Sequence, residues 1–138
     1  MKWTKNVNFS LNPDSPIDSK AVLTPKVIKL PRGGYRMFYM GASLESSGRI
    51  LSAFSRDLEN WHKEPSIRID NDKSEEIDRV LSPDIIKISE NFWRMYYEVH
   101  LTNKSRVIMS AISEDLDDWS VESGTRIKSK YFDYGTPK

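Results

Sequence analysis

Short apolar runs, each closed by a polar or turn-forming segment, recur along this chain, and their internal spacing is that of β-strands. In GYRMFYMG (34–41) the residues alternate, placing Tyr35, Met37 and Tyr39 on one face and Arg36, Phe38 and Met40 on the other. The preceding run PKVIKL (25–30) has adjacent apolar residues, which predicts a strand covered on both faces. RILSAFS (49–55) and EPSIRID (64–70) predict a third and a fourth strand. Between the first two runs stands the turn Arg32-Gly33-Gly34, and SRDLENW (55–61) joins the last two.

The same four runs then return. Shifting the sequence by 58 residues aligns 22–70 with 80–128, and 19 of the 49 positions are identical. Ordinary residue frequencies would give roughly three. The identities include Pro25 and Pro83, Arg36 and Arg94, Tyr39 and Tyr97, Asp57 and Asp115, Trp61 and Trp119, Glu64 and Glu122, and Arg68 and Arg126. Trp3 stands one period before Trp61, so the run near Trp3 is expected to be an outer strand; Tyr134-Gly-Thr-Pro-Lys138 reads as the start of a third copy. Four antiparallel strands at a period a little over 50 residues is the pattern of a β-propeller blade. The expected architecture is therefore all-β. It comprises a lead-in with an outer strand (1–21), a first blade (22–79), a second blade (80–133) and the beginning of a third (134–138), together one partial domain. A lone blade cannot bury both faces. Missing carboxyl-terminal blades or self-association are the two ways such a chain could complete a ring.

Composition narrows the classes of function. With 138 residues there is enough chain for one core. Twenty-one basic residues against 20 acidic ones leave a net charge of +1 and no long single-sign block, which argues against nucleic acid as a partner. The absence of cysteine excludes disulfides and thiolate metal sites and suits a reducing compartment, so a cytoplasmic location is expected. No apolar run approaches membrane-spanning length, so no membrane partner is expected. His62 and His100 have no spacing that predicts a metal site. Phosphate-binding and nucleophile-elbow motifs are absent, and no cofactor is expected.

The unit P-x-V-I-x-L, G-x-Y-R-M-x-Y-x-G, I-x-S-A-x-S-x-D-L-x-x-W and E-x-x-x-R-I resembles the blades of five-bladed β-propeller glycosidases, the glycoside hydrolase family 43 and 32 superfamily. The resemblance spans residues 3 to 138 and corresponds to the amino-terminal part of such a ring. It implies a carbohydrate substrate or ligand and, in a full ring, hydrolysis by carboxyl groups at the mouth of the central channel. A non-catalytic carbohydrate-binding or scaffold module is the alternative, because a fold does not choose between them.

Matched positions act as an internal control: shared residues serve the blade, and differences are where function can lie. Asp57 and Asp115 are expected to fix their turns, Arg36 and Arg94 to make structural ion pairs, and Trp61 and Trp119 to pack. Asp84 replaces Lys26 directly after the shared proline, at the start of the innermost strand, and is the candidate catalytic acid that the resemblance implies. The match is incomplete, since family 32 carries Arg-Asp-Pro where this chain has Ser82-Pro83-Asp84. Asp78, in the acidic segment leading into that strand, is the second catalytic candidate, and Asp18, in the segment leading into the first blade, is a substrate-binding candidate. Asp70-Asn71-Asp72 and Glu75-Glu76 belong to the same acidic segment, for which a solvated loop is the competing reading. Glu98 and His100 replace Met40 and Ala42; two apart on a strand, they share a face and could bind sugar hydroxyls or, as the lesser alternative, a divalent ion. Trp93 is a candidate sugar platform, although its match to Tyr35 favours packing.

Overall fold

The computed structural model describes residues 1–5, 8, 10–71 and 75–128. These contain nine strands: β1 (Ala21–Lys29), β2 (Tyr35–Ala42), β3 (Arg49–Ser55), β4 (His62–Lys63), β5 (Ile77–Ser89), β6 (Phe92–Leu101), β7 (Arg106–Ser113), β8 (Ser120–Val121) and β9 (Ile127–Lys128). They form two antiparallel sheets in the orders β1-β2-β3-β4 and β5-β6-β7-β8, with β9 also on β7. The registers repeat with the sequence. Phe38 stands opposite Ser52 and Ala53 opposite Lys63 in the first sheet; Tyr96 stands opposite Ser110 and Ala111 opposite Val121 in the second. Each sheet is a propeller blade.

The inner strands share an irregularity. Thr24 and Ser82, each before a proline, take positive φ (49° and 53°), and the pairing to the second strand slips there in both blades. Such a bulge re-aims the residues beside it. It also links the blades, because the Ser82 amide donates to Thr24 Oγ1 at 3.1 Å. Expected cover on both faces of these strands is not found: Ile85 is buried and Ile28 is packed against the core, whereas Val27, Ile86 and Ile88 are exposed.

The fourth runs differ from expectation as well. Neither forms a continuous strand. β4 and β8 begin before them, and pairing resumes only at Ile69 with Ile50 and at Ile127 with Ile108. Pro65 has no amide to donate and Gly124 takes φ 78°, so residues 65–67 and 123–125 leave the ladder. The detour turns Arg68 and Arg126 inward, where each Nε donates to the blade's central serine: Ser52 Oγ at 2.9 Å and Ser110 Oγ at 2.7 Å. Those hydroxyls in turn donate to Glu64 and Glu122 at 2.7 Å, and the same carboxylates receive Arg36 and Arg94.

The alternation in β2 sorts the packing. Met37 and Tyr39 lie with Leu51 and Ala53 against Leu11, Ile17, Val22 and Trp61, so the lead-in covers the first blade's outer side. Phe38 points the other way, into a core with Ile50, Ile69, Trp93, Met95, Tyr97, Val99 and Leu116. The Phe38 and Trp119 rings meet edge to face at 5.8 Å. Residues 1–5 form no strand and Trp3 is exposed, so the outer strand expected there pairs with no described strand. The expected third copy at 134–138 and Asp72 lie outside the described residues. No helix among the described residues is long and apolar enough to cross a membrane.

Candidate functional site

Strand pairing, not sequence proximity, assembles the polar groups at the start of β5. In the β5–β6 register Leu81 stands opposite Glu98 and Arg79 opposite His100, while His100 pairs across β6–β7 with Arg106. His100 Nε2 lies 2.7 Å from Glu98 Oε1, Arg106 approaches the same oxygen at 3.6 Å, and Ser82 Oγ donates to Glu98 Oε2 at 3.4 Å. The two-residue spacing of Glu98 and His100 thus gives the shared face that alternation requires.

Asp78 stands beside this group. With His100, Leu101, Thr102, Lys104 and Arg106 it lines a cleft of about 460 Å³. Its carboxylate accepts from Ser47 Oγ at 3.0 Å and Arg79 Nε at 2.8 Å, and the Ser47 hydroxyl also contacts the Asp78 carbonyl. Burial pushes its pKa up, but the Arg79 and Ser47 hydrogen bonds and the charges of Arg79 and His100 outweigh it and hold the group below the usual value. Asp78 is therefore an anion at neutral pH.

Asp84 follows the bulge on the inner strand, opposite Tyr96. It forms an ion pair with Lys26 Nζ at 2.5 Å. The two residues that the repeat sets against each other as a substitution are thus partners across the blades.

The structure does not bring Asp18 or Trp93 to this place. Asp18 is fully buried under the lead-in, where its carboxylate accepts from the Ser15 amide (3.0 Å) and hydroxyl (2.7 Å), from Tyr39 Oη (3.0 Å) and from Lys63 Nζ (2.7 Å). Burial raises its pKa, but the four donors together outweigh burial and leave it depressed. Trp93 is 6% exposed in the inter-blade core, so its ring offers no open face to a sugar. Lys87 Nζ lies 5.8 Å from its centroid. Neither Ser82 nor Arg106 stands out in the sequence. Arg106 could have been found by folding the β6–β7 hairpin on paper, which sets it opposite His100; Ser82 could not, because its aim depends on the bulge.

No protein-family model matches the chain, and no curated protein does. Solved structures do. The chain is similar to Zg3597, a family 117 glycoside hydrolase of the marine bacterium Zobellia galactanivorans, at 15% identity and TM-score 0.70, over 88% of this chain and 44% of that one. A glycosyl hydrolase from Bacteroides ovatus matches at 20% identity and TM-score 0.65, over 75% and 31%. A third match comes from the GH130 family of mannoside phosphorylases, which contains glycoside hydrolases that target β-1,2 mannosidic linkages in Candida mannan. It has 21% identity and TM-score 0.55, over 79% and 32%. The fold is that of glycoside-hydrolase-like propellers. This chain spans less than half the length of each of these structures.

Among the described residues no group of three or more His, Asp or Glu side chains is arranged to hold a metal ion. The chemistry on offer is that of hydrogen bonding and charge: Asp78 and Glu98 as acceptors, Arg106 and Lys104 as donors, and His100 able to serve as either.

Proposed function

We propose that the chain forms the amino-terminal part of a carbohydrate-active, five-bladed glycosidase-like propeller, in which the groups at the start of β5 bind sugar hydroxyls. The observation that carries this reading is the convergence of Ser82, Glu98, His100 and Asp78 around one end of an inner strand, in a fold shared with glycoside hydrolases. Neighbouring hydroxyls of a sugar present paired donors and acceptors, and a carboxylate beside an imidazole and a guanidinium answers both.

For hydrolysis the candidates are Asp84 and Asp78, and their roles differ. A general acid needs a raised pKa. Each described carboxyl group with a shifted pKa is shifted downward: Asp18, Asp57, Glu64, Asp78, Asp115 and Glu122. Asp78 therefore fits an anionic base or a stabilising carboxylate, and Asp84, which the resemblance implies as the acid, or a residue of another blade would have to supply the proton.

The Lys26–Asp84 ion pair favours a second reading, a non-catalytic binding module. There the first unit's ammonium occupies the second unit's carboxylate, and the ring retains recognition without cleavage.

Nuclear magnetic resonance titration with neutral oligosaccharides tests binding in the chain itself. At about 10 mM ligand, enough for a complex of millimolar affinity, shifts are expected at His100 and its neighbours and should vanish in His100→Ala; a flat titration overturns the reading. Turnover of aryl glycosides by the wild type beside Asp84→Asn separates the two versions. Equal rates remove Asp84 from the mechanism.

A further inference from the structure

Alternation along β6 sends Tyr97 and Val99 into the inter-blade core and leaves Tyr96, Glu98 and His100 on the opposite, outward face. The cleft at the end of that face gathers charges that a blade of this kind does not need. Thr102, Lys104, Arg106 and His100 line it. One period earlier the same positions hold Leu44, Ser46, Gly48 and Ala42, and the first blade forms its β2–β3 end without a charge at any of them.

The carboxylates around the cleft are already engaged: Asp78 by Ser47 and Arg79, Glu98 by His100, Arg106 and Ser82. Glu76, whose carbonyl accepts the Thr102 amide, does not line it. Lys104 is the exception. It is exposed, and its ammonium meets no carboxylate among the described residues. Its backbone is also held against preference. The Leu101 amide donates to the Ser105 carbonyl and the Lys104 amide to the Leu101 carbonyl, both at 2.9 Å, which closes a three-residue hairpin loop in which Lys104 takes φ 70°. Such loops favour glycine at that place, because a Cβ there crowds the backbone carbonyl. The matched Ser46 is not left-handed. A loop that did no more than reverse the chain would be served better by glycine or asparagine than by a lysine turned to the cleft.

We propose that this cleft selects an anionic sugar, and that Lys104 is the residue that decides it. Its ammonium, beside Arg106, receives the carboxylate of a uronic acid or the sulfate of a sugar sulfate ester, while hydroxyls of the same ring fall to Asp78 and His100. The inference rests on the sugar-binding reading above and narrows its substrate class. A neutral ring would leave the Lys104 ammonium to water, whereas an anionic substituent gains a charge-assisted hydrogen bond from it. Lys104 and Arg106 against Asp78 leave the lining one positive charge in excess, before any on His100. Asp78 argues for a sugar over a bare anion, since an ionised carboxylate repels the anion but accepts from a ring hydroxyl.

The test uses methyl glycosides of glucose, galactose and mannose, each in neutral, uronate and sulfated form, so that members of a series share a ring and differ in charge. Their binding is followed by nuclear magnetic resonance at the amides of His100, Thr102 and Lys104. In at least one series a charged form is expected to bind about tenfold more tightly than the neutral one at low salt, and about 0.5 M salt should remove most of that advantage. Whether the uronate or the sulfated form gains more tells the two anionic groups apart. Lys104→Gly separates recognition from folding, because glycine relieves the left-handed backbone. Its unfolding midpoint should equal or exceed that of the wild type, while the charged-to-neutral ratio falls to about one. Lys104→Arg, which keeps the charge, should keep the preference. Neutral rings that bind while charged ones bind no tighter leave the sugar-binding reading standing and overturn this one, as does a preference that survives Lys104→Gly. Acetate and inorganic sulfate titrated alone should leave these amides unmoved; equal shifts from them would mean an adventitious ion only and overturn the proposal. If no ring binds in any form, both readings fall.

Discussion

Asp18 illustrates how a single buried charge is held. Its carboxylate is closed in by Tyr39, Lys63 and both donors of Ser15, and its pKa is depressed from 3.8. A depressed carboxyl contributes stability that is present above the unfolded-state value and is lost as pH falls through the lower, folded-state value. Acid titration of the wild type should therefore show destabilisation beginning near pH 4, and Asp18→Asn should lose only Asp18's share of that limb, since Asp57, Glu64, Asp78, Asp115 and Glu122 are depressed as well. At neutral pH the substitution takes from Lys63 its buried partner but leaves it Asp14 and the Asn12 carbonyl, and urea unfolding should report a loss of about 1–3 kcal/mol. The Lys26–Asp84 pair is the contrasting case, because both side chains reach water. Lys26→Ala should change stability by less than about 1 kcal/mol, so any change in sugar binding that accompanies it is functional. The sequence alone could not tell these two aspartates apart. Asp18 precedes β1 and Asp84 lies within β5 after its bulge, and only the packing of the lead-in decides that the first is sealed while the second stays open.

At the scale of elements, the repeat made strands, registers and turns legible, because a 58-residue echo keeps every side chain on its face. The Asp-Leu turns are built alike. Asp57 Oδ1 accepts the amides of Glu59 and Asn60, Asp115 Oδ1 those of Asp117 and Asp118, and each following Trp donates to the leucine carbonyl. Leu58 and Leu116 share φ 67°. What the sequence could not reveal is their unequal burial: Leu116 is 1% exposed in the inter-blade core and Leu58 is 47% exposed. Leu116→Ala should accordingly cost about 3 kcal/mol, whereas Leu58→Ala should cost under about 1 kcal/mol, both measured by denaturant midpoint at unchanged slope. The broken fourth strands were hidden for a related reason. Pro65 and Ser123-Gly124 look like ordinary edge residues until Arg68 and Arg126 are seen turning inward behind them.

Across the whole molecule, matching units end up in unlike surroundings, and the matched positions 38 in β2 and 96 in β6 measure the difference. Phe38 has no exposed surface and meets Trp119 across the blades, while Tyr96, its counterpart, is half-buried on the outward face. Most of the larger core is therefore an interface between blades, with Phe38, Ile50 and Ile69 from one and Trp93, Met95, Tyr97 and Val99 from the other. Neither blade keeps that core without its neighbour, so the wild type should unfold in one transition whether followed by tryptophan fluorescence or by far-ultraviolet dichroism. Phe38→Ala removes the centre of the interface and should cost about 4 kcal/mol. If the blades depend on each other as the packing implies, that loss lowers the midpoint while the two probes stay coincident. Probes that separate in the variant would show that each blade has enough core of its own. Tyr96→Ala, on the uncovered face, should shift the midpoint by less than about 1 kcal/mol in this chain. Once a third blade covers it, the same substitution should cost about as much as Phe38→Ala, because what sets the energy is the neighbour and not the residue.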